Sequence, residues 1–210
     1  MLAREPVAGD RKRVHVVLMF IMSLTTGIQG VRRALAAACL AAALPLAALG
    51  DATNAPQPSL ESHLEPLRPL LGKTFKGAFK ESTPEKPLVD VSCWERALNG
   101  KVVRMTHSLN EGFYGGETII RWDKLKGSVV YDYYTTAGFT TSGTMEFNEG
   151  RIITHEIVSG STNVSEVRGT SEILPGDRLH VKTEYGHEGK WTPGRDVTYE
   201  ATPGAKPVFR

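Results

Sequence analysis

The chain of 210 residues allows one domain with appendages, and 40% hydrophobic and 23% charged residues are typical of a globular protein. Six of its 25 Lys and Arg and two of its 23 Asp and Glu fall in residues 1–50, which leaves 19 basic and 21 acidic residues beyond them. The nearly neutral remainder has no basic stripe, which argues against a nucleic-acid-binding protein, so we expect no nucleic-acid partner.

The N-terminal segment has the features of an export signal. Arg32 and Arg33 directly precede an Ala- and Leu-rich apolar run that ends in small residues at position 50. This order is typical of a secretory signal peptide. A membrane anchor is the alternative, but the run is short for a span and Pro45 interrupts it. We therefore predict a leader over residues 1–50, a periplasmic or secreted protein, and no stable membrane insertion after processing.

A second basic and apolar patch, residues 11–22, precedes this run. Its simplest interpretation is that translation starts at Met22, and a long or two-part leader is the alternative. Cys39 lies inside the apolar run rather than after it, so we do not expect lipidation. Cys93 is then the single cysteine of the processed chain, which excludes an intramolecular disulfide there.

The next segment predicts a linker and a short helix. Residues 51–58 are polar and contain proline, as linkers do. Leucines then recur at helical spacing at positions 60, 64, 67 and 71. Pro66 and Pro69 keep this helix short, and Gly72 is its stop signal. We expect the helix to plug one end of the fold that follows.

Everything from residue 73 to 201 is typical of β-structure. Apolar and polar residues alternate in about ten short runs separated by turn residues, and Asn99-Gly100 is the strongest hairpin signal. A sheet of sequential hairpins with one apolar face must bury that face, and its two edge strands must find a partner. We therefore predict an all-β domain over residues 59–201, an antiparallel up-and-down barrel of about ten strands, followed by a frayed tail at 202–210. A two-sheet sandwich is the alternative, although the connections are uniformly short.

Alternation also predicts which side chains face the interior, where ten strands leave room for a cavity. The candidates for lining a ligand site are Phe75, Phe79, Met105, His107, Tyr131, Tyr133, Met145 and His155. The same phase places Cys93 inside and Trp94 outside. It also places outside the carboxylates of Asp90, Asp132, Glu146, Glu156 and Glu184.

The two inward histidines have two interpretations. His107 or His155 could ligate a metal or haem, or act as a general base near neutral pH. Alternatively, each is a core histidine whose ring bonds a tyrosine hydroxyl, and Tyr131 or Tyr133 could serve. No metal-ligand spacing of His or Cys is present in the sequence, so we predict no metal site.

The pattern G-x-x-F-x-G-x-F at residues 72–79, after a helical turn and before a meander, resembles calycin-type barrels. It is similar to uncharacterised secreted lipocalin-like families and to nitrobindin-like ten-stranded barrels, and the segment 116–134 resembles their central hairpin. The resemblance covers about residues 60–201 and implies a barrel with a ligand cavity. Nitrobindin-like proteins bind haem through a histidine late in the barrel sequence, and His187 lies in that part of this chain.

Three hypotheses for function follow. The barrel could bind a small apolar or amphipathic ligand, act as an enzyme with His107 or His155 as acid or base, or be a packed structural domain. An inward carboxylate beside an inward histidine would favour the enzyme, and alternation places none there. We therefore favour ligand binding over catalysis, with the cofactor left open and haem as the candidate that the resemblance implies.

Overall fold

The structure, a computed structural model, describes residues 58–210, so the predicted leader and residues 51–57 of the predicted linker lie outside the described residues. A 3-10 helix over Ser62–Leu70 comes first. Ten strands follow: β1 Lys73–Ala78, β2 Val89–Ala97, β3 Val102–Leu109, β4 Tyr114–Asp123, β5 Ser128–Thr135, β6 Thr140–Asn148, β7 Arg151–Ser159, β8 Glu166–Leu174, β9 Arg178–His187 and β10 Lys190–Ala201. Within residues 58–210, none of the helices has the length and apolar character needed to cross a bilayer.

The strands form a closed antiparallel barrel. Each strand pairs with its neighbours in sequence, and β1 pairs with β10 through Phe75 opposite Ala201 and Lys76 opposite Glu200. This confirms the predicted all-β, ten-stranded up-and-down barrel. Closure leaves no strand edge of the barrel unpaired, which is how such a meander avoids edge-to-edge association.

Glycine permits two features of the wall. Asn99 and Gly100 have φ of 54° and 82° in the turn between β2 and β3, as the hairpin signal predicts. Gly77 lies inside β1, where a Cβ atom would be 2.6 Å from Val197 Cγ1 and 2.9 Å from Tyr199 Cδ1. The two β10 side chains therefore pack directly over β1 because Gly77 has no side chain.

The N-terminal helix is a 3-10 helix, and its buried leucines have a spacing of three. Leu64, Leu67 and Leu70 are at most 1% exposed and belong to the hydrophobic core. A 3-10 helix places residues three apart on one face, so Leu70 is fully buried, and the predicted Leu71 is partly buried against the core. The backbone N–H of Glu61, which precedes the helix, donates to the Gly100 carbonyl at 2.8 Å.

The barrel interior is apolar near this helix and polar at the other end. We call the end with the start of β1 the helix end, and the end with the β3–β4 turn the opposite end. The apolar part contains, among others, Phe75, Trp94, Val103, Ile120, Val129, Met145, Ile152, Leu179 and Val197. Towards the opposite end, inward positions carry Asp90, His107, Tyr114, Tyr133, Thr141, Glu156, Tyr185 and Arg195.

Strand β7 has the opposite phase from the predicted one. The side chain of His155 is 52% exposed and its Nε2 lies 3.0 Å from the Glu166 carboxylate on the outer surface. The predicted inward direction of His155 is therefore wrong. Ile153 and Ile157 also face outward, at 38% and 56% exposure, while Glu156 faces inward. Alternation assigned the isoleucines to the interior because it takes the more apolar face as the buried one.

Strand β2 is inverted in the same way. Asp90, Ser92 and Trp94 are buried at 1%, 7% and 7% exposure, whereas Cys93 is only partly buried on the outer face. The predicted outward Trp94 and Asp90 and inward Cys93 are therefore wrong. The physical reason is that the interior beside the start of β2 is polar, so the polar face of the strand is the buried one.

The C-terminal part is more ordered than the sequence predicts. Residues 186–194 form the end of β9 and the start of β10, joined by a tight turn at Glu188-Gly189 with positive φ at both residues. The tail at 202–210 has no helix or strand, but it packs against the barrel. The Val208 N–H donates to the Ser108 Oγ at 2.9 Å.

Candidate functional site

The polar end of the interior contains a connected set of side chains that we call the polar cluster: Asp90, His107, Tyr114, Tyr133, Arg195 and Tyr199. His107 Nδ1 lies 2.9 Å from Asp90 Oδ1, and His107 Nε2 lies 2.7 Å from the Tyr133 hydroxyl. The Tyr133 hydroxyl in turn lies 2.8 Å from that of Tyr114. Asp90 and His107 are 1% and 6% exposed. The cluster therefore links five strands, β2, β3, β4, β5 and β10, through hydrogen bonds.

The partners fix the direction of these hydrogen bonds. An ionised Asp90 can only accept, so His107 Nδ1–H donates to it, and in a neutral ring Nε2 is then an acceptor. Tyr133 O–H then donates to His107 Nε2, and Tyr114 O–H can donate to Tyr133. On the other side, the Tyr199 hydroxyl donates to Asp90 Oδ2 at 2.8 Å. In this arrangement each hydrogen bond of the polar cluster has one donor and one acceptor.

Burial and charge set the protonation states in the cluster. Burial alone would raise the pKa of Asp90, but His107, Arg195 and the Tyr199 hydroxyl together lower it below its ordinary value. Burial raises the pKa of Tyr114 to about 12 and that of Tyr133 well above its ordinary value. At neutral pH Asp90 is therefore a carboxylate and both tyrosines keep their protons.

Arg195 supplies the positive charge of the cluster, and a β-bulge positions it. Its Nη1 donates to the Tyr199 hydroxyl at 3.1 Å and lies 3.7 Å from Asp90 Oδ2. The register between β9 and β10 shifts between Pro193 and Asp196, directly around Arg195. A bulge re-aims the side chain that it carries. The Arg195 side chain as a whole is 31% exposed.

A second inward carboxylate, Glu156, lies on β7. Thr141 Oγ1 donates a short hydrogen bond to Glu156 Oε2. Burial raises the pKa of Glu156, although the hydroxyls of Thr141 and Tyr131 and the more distant positive charge of Arg195 oppose the shift. Burial, together with the negative charge of Glu156, raises the pKa of the Tyr131 hydroxyl. Glu156 and Tyr131 thus lie close together in the interior, and no positively charged residue of the polar cluster contacts the Glu156 carboxylate.

Two buried polar atoms of the interior have no hydrogen-bond partner within residues 58–210. They are Trp94 Nε1 and the Tyr131 hydroxyl, on side chains that are 7% and 5% exposed. A buried donor without a partner costs about 1–3 kcal/mol, so proteins seldom leave one without a ligand or water to bond. Both atoms lie in the interior, one on β2 and the other on β5.

Seven of the eight predicted site residues belong to the interior. Phe75, Met145 and Tyr131 are buried in the hydrophobic core, and Phe79 and Met105 are partly buried against it. His107 and Tyr133 belong to the polar cluster and are hydrogen-bonded to each other. Tyr133 is thus the tyrosine partner expected if His107 is a core histidine. His155 is outside. The structure brings these residues to one lumen, and their predicted role in ligand binding stays a prediction.

The sequence analysis missed the charged residues of the interior. Alternation predicts outward side chains for Asp90 and Glu156, and it gives no prediction for Arg195. Aspartate is unfavourable within strands, so Asp90, the second residue of VDVSCWE, is a signal for a buried partner. Pro193-Gly194 before Arg195 was a signal for a bulge, because proline within a sheet is confined to edges and bulges.

The described residues do not fit haem. His187 is the last residue of β9, its side chain is 46% exposed, and its surroundings at this end are polar. The apolar surface that would hold a porphyrin lies at the helix end. Inside, His107 uses both ring nitrogens for Asp90 and Tyr133. Among residues 58–210, no three His, Cys, Asp or Glu side chains are arranged to hold a metal ion either.

Comparisons with known proteins concern the fold alone. No protein-family model matches the chain, and no curated protein matches it. Among solved structures it is similar to Rv2717c from M. tuberculosis, with a TM-score of 0.51 and 16% sequence identity over 69% of this chain and 99% of that one. The likeness is consistent with a calycin-like barrel, a fold that could hold a ligand in its interior.

Proposed function

We propose that the barrel binds a small amphipathic molecule in its interior. The observation that carries the proposal is the division of the lumen into an apolar half at the helix end and a polar half at the opposite end. Binding sites for small molecules are mostly apolar with a few convergent polar groups, as here. The unpartnered Trp94 Nε1 and Tyr131 hydroxyl offer a ligand two hydrogen bonds.

We also propose that the 3-10 helix plugs the helix end, so that the ligand enters from the opposite end. The burial of Leu64, Leu67 and Leu70 in the core supports this. The stacking of His63 on Trp122, with ring centroids 3.6 Å apart, adds a contact between the helix and β4. Arg195 and other inward residues of β8–β10 are only partly buried, as an open end requires.

The test is binding of a lumen-seeking hydrophobic dye, 1-N-phenylnaphthylamine, to matched tryptophan variants. Val181 faces the core and is partly buried, whereas the next residue, Lys182, is exposed on the outer face. We expect Val181→Trp to fill the lumen and weaken dye binding at least about tenfold, and Lys182→Trp to leave it unchanged. Circular dichroism checks that both variants fold. Equal dye binding by both variants, or no binding by the wild type, would contradict the proposal.

A second candidate function is acid–base catalysis on the bound molecule. The buried Asp90 beside His107 is the inward carboxylate whose presence would favour an enzyme. Asp90 orients the ring and would stabilise its protonated form, and Tyr133 and Tyr114 extend the hydrogen bonds from His107 towards the lumen.

Native mass spectrometry of protein from its natural compartment can separate the two candidates. A bound molecule recovered in this way would be incubated with the wild type and with His107→Gln. Conversion by the wild type alone would establish catalysis. An unchanged molecule with both proteins would refute catalysis and leave binding.

Export is proposed on the sequence of residues 1–50, with a periplasmic or secreted location. The basic pair and apolar run at Arg32 to Gly50 support it. Intact-mass measurement of the protein from periplasm or medium tests it. A mature N-terminus close to residue 50 agrees with cleavage there, whereas an intact leader on intracellular protein contradicts export.

A further inference from the structure

Glu156 is the charged group of the interior whose charge has no close partner. It faces inward from β7, and it accepts a hydrogen bond from the Thr141 hydroxyl. By contrast, Asp90 accepts from His107 and Tyr199 and has Arg195 at 3.7 Å. A carboxylate inside a protein normally has a cation or several donors beside it. Within residues 58–210, Glu156 has the hydroxyls of Thr141 and Tyr131 beside it and no cation in contact with its carboxylate.

The groups that face Glu156 come from several elements. On β6, Thr141 supplies the hydroxyl, and Gly143 lies opposite Glu156 in the strand pairing. On β5, the buried Tyr131 hydroxyl lies close by, because a Cβ atom on Gly143 would be 3.0 Å from that oxygen and 3.1 Å from the Glu156 Cα. Arg195 on β10 and His155 on β7 act on Glu156 only through longer-range charge.

The space beside Glu156 therefore combines a carboxylate oxygen and a phenolic oxygen. The Tyr131 hydroxyl has no hydrogen-bond partner in the described part of the chain, although its side chain is 5% exposed. Gly143 has no side chain beside these oxygens, and a Cβ atom there would be 3.0 Å from the Tyr131 hydroxyl. A group that donates two or three hydrogen bonds and carries positive charge complements this arrangement.

We propose that the ligand is an amphipathic amine, whose ammonium group binds Glu156 and the Tyr131 hydroxyl while its apolar part extends towards the helix end. This rests on the proposed ligand-binding function and names its chemical class. An ammonium has three donors, which match the Glu156 carboxylate and the phenolic oxygen. An anionic head group is less well matched, because the Arg195 charge already has Asp90 and Tyr199 beside it.

Proton release gives this proposal a signature of its own. Because burial holds the pKa of Glu156 above its ordinary value, part of the population is protonated in mildly acidic solution. An ammonium favours the ionised form, so amine binding must release a proton there. Affinity for the amine must also fall as the pH falls through the raised pKa. Binding of an uncharged alcohol has neither property.

The experiment compares three probes of equal chain length, decylamine, 1-decanol and decanoate, below their micellar concentrations, by isothermal titration calorimetry at pH 7. We expect the wild type to bind decylamine at least about tenfold more tightly than decanol, as a charge-assisted hydrogen bond would provide. Glu156→Gln should reduce decylamine binding to the level of decanol and leave decanol unchanged. Glu146→Gln, an outward carboxylate on the neighbouring strand, is the matched control and should change nothing.

Titrations at pH 5.5 in buffers of different ionisation enthalpy should show proton release with decylamine and none with decanol. Equal affinity for amine and alcohol, or a preference that survives in Glu156→Gln, would overturn the proposal. Tighter binding of decanoate would overturn it too and assign the head group to Arg195. If none of the three probes binds, the proposed ligand-binding function itself fails for chain-like molecules, which is a different result from loss of amine preference.

Discussion

Replacement of Asp90 by Asn tests the polar cluster most directly. The substitution keeps the shape of the side chain but removes its charge. The amide nitrogen then faces a donor, either His107 Nδ1–H at 2.9 Å or the Tyr199 hydroxyl at 2.8 Å. It also leaves Arg195, 3.7 Å away, without a counter-charge. Asp90 is 1% exposed, so water cannot replace what is lost.

The expected loss of stability follows from these contacts. Removal of one partner of a buried ion pair costs roughly 3–5 kcal/mol. The Arg195 side chain is 31% exposed and can recover some hydration, which favours the lower end, about 3 kcal/mol. In a domain of this size, that corresponds to a decrease of roughly 6–12 °C in Tm.

The assay is urea unfolding at pH 7 followed by tryptophan fluorescence. Asp132→Asn is the control, because Asp132 bonds Ser142 on the outer face and should cost less than about 1 kcal/mol. The pKa of Asp90 is lowered in the folded state, so its contribution is present above the unfolded pKa and is lost as the pH falls through the folded one. The difference between wild type and variant should therefore shrink below about pH 4. A difference under about 1 kcal/mol at pH 7 would refute the reasoning.

Three further predictions concern stability. Gly77→Ala places a Cβ atom 2.6 Å from Val197 Cγ1 and should cost about 1–3 kcal/mol in urea unfolding, whereas the exposed Lys76→Ala should not. Leu67→Ala, at 0% exposure, should cost about 2–5 kcal/mol, and Leu125→Ala, at 100% exposure, less than about 0.5; equal effects would contradict the burial of the helix. The pKa of Glu156 is raised in the folded state, so stability falls as the pH rises from its unfolded pKa through the folded one. Unfolding from pH 4 to 8 should show Glu156→Gln gaining stability relative to the wild type, and a constant difference would contradict the raised pKa.

The sequence predicts the strands of this barrel better than it predicts which side chains face the interior. In β3, β5 and β6 the buried face is also the more apolar one, and alternation places His107, Tyr131 and Met145 correctly. In β2 and β7 the buried face carries Asp90 and Glu156, so the same rule inverts the strand.

The failure of alternation has a physical cause. Hydropathy identifies the inward face only where the interior is apolar, and the opposite end of this lumen is not. Hydrogen bonds between distant positions, such as Tyr199 to Asp90, leave no periodic trace in the sequence. Alternation therefore gives the wrong inward face in the strands that carry Asp90 and Glu156, which belong to the candidate site. Such exceptions to local sequence patterns are expected at functional sites.

The pairing of β1 with β10 has a consequence for folding. Strand β1 pairs with β10, which lies more than a hundred positions later in the sequence. The barrel can therefore close only after β10 has been synthesised. At a synthesis rate of about 5–20 residues per second, β1 keeps an open edge for roughly 6–25 s. Contacts of such high sequence separation also make refolding slow. Loss or late pairing of β10 would leave the edges of β1 and β9 unpaired. Substitutions that destabilise β10 should therefore cause aggregation before any change in ligand binding is detected.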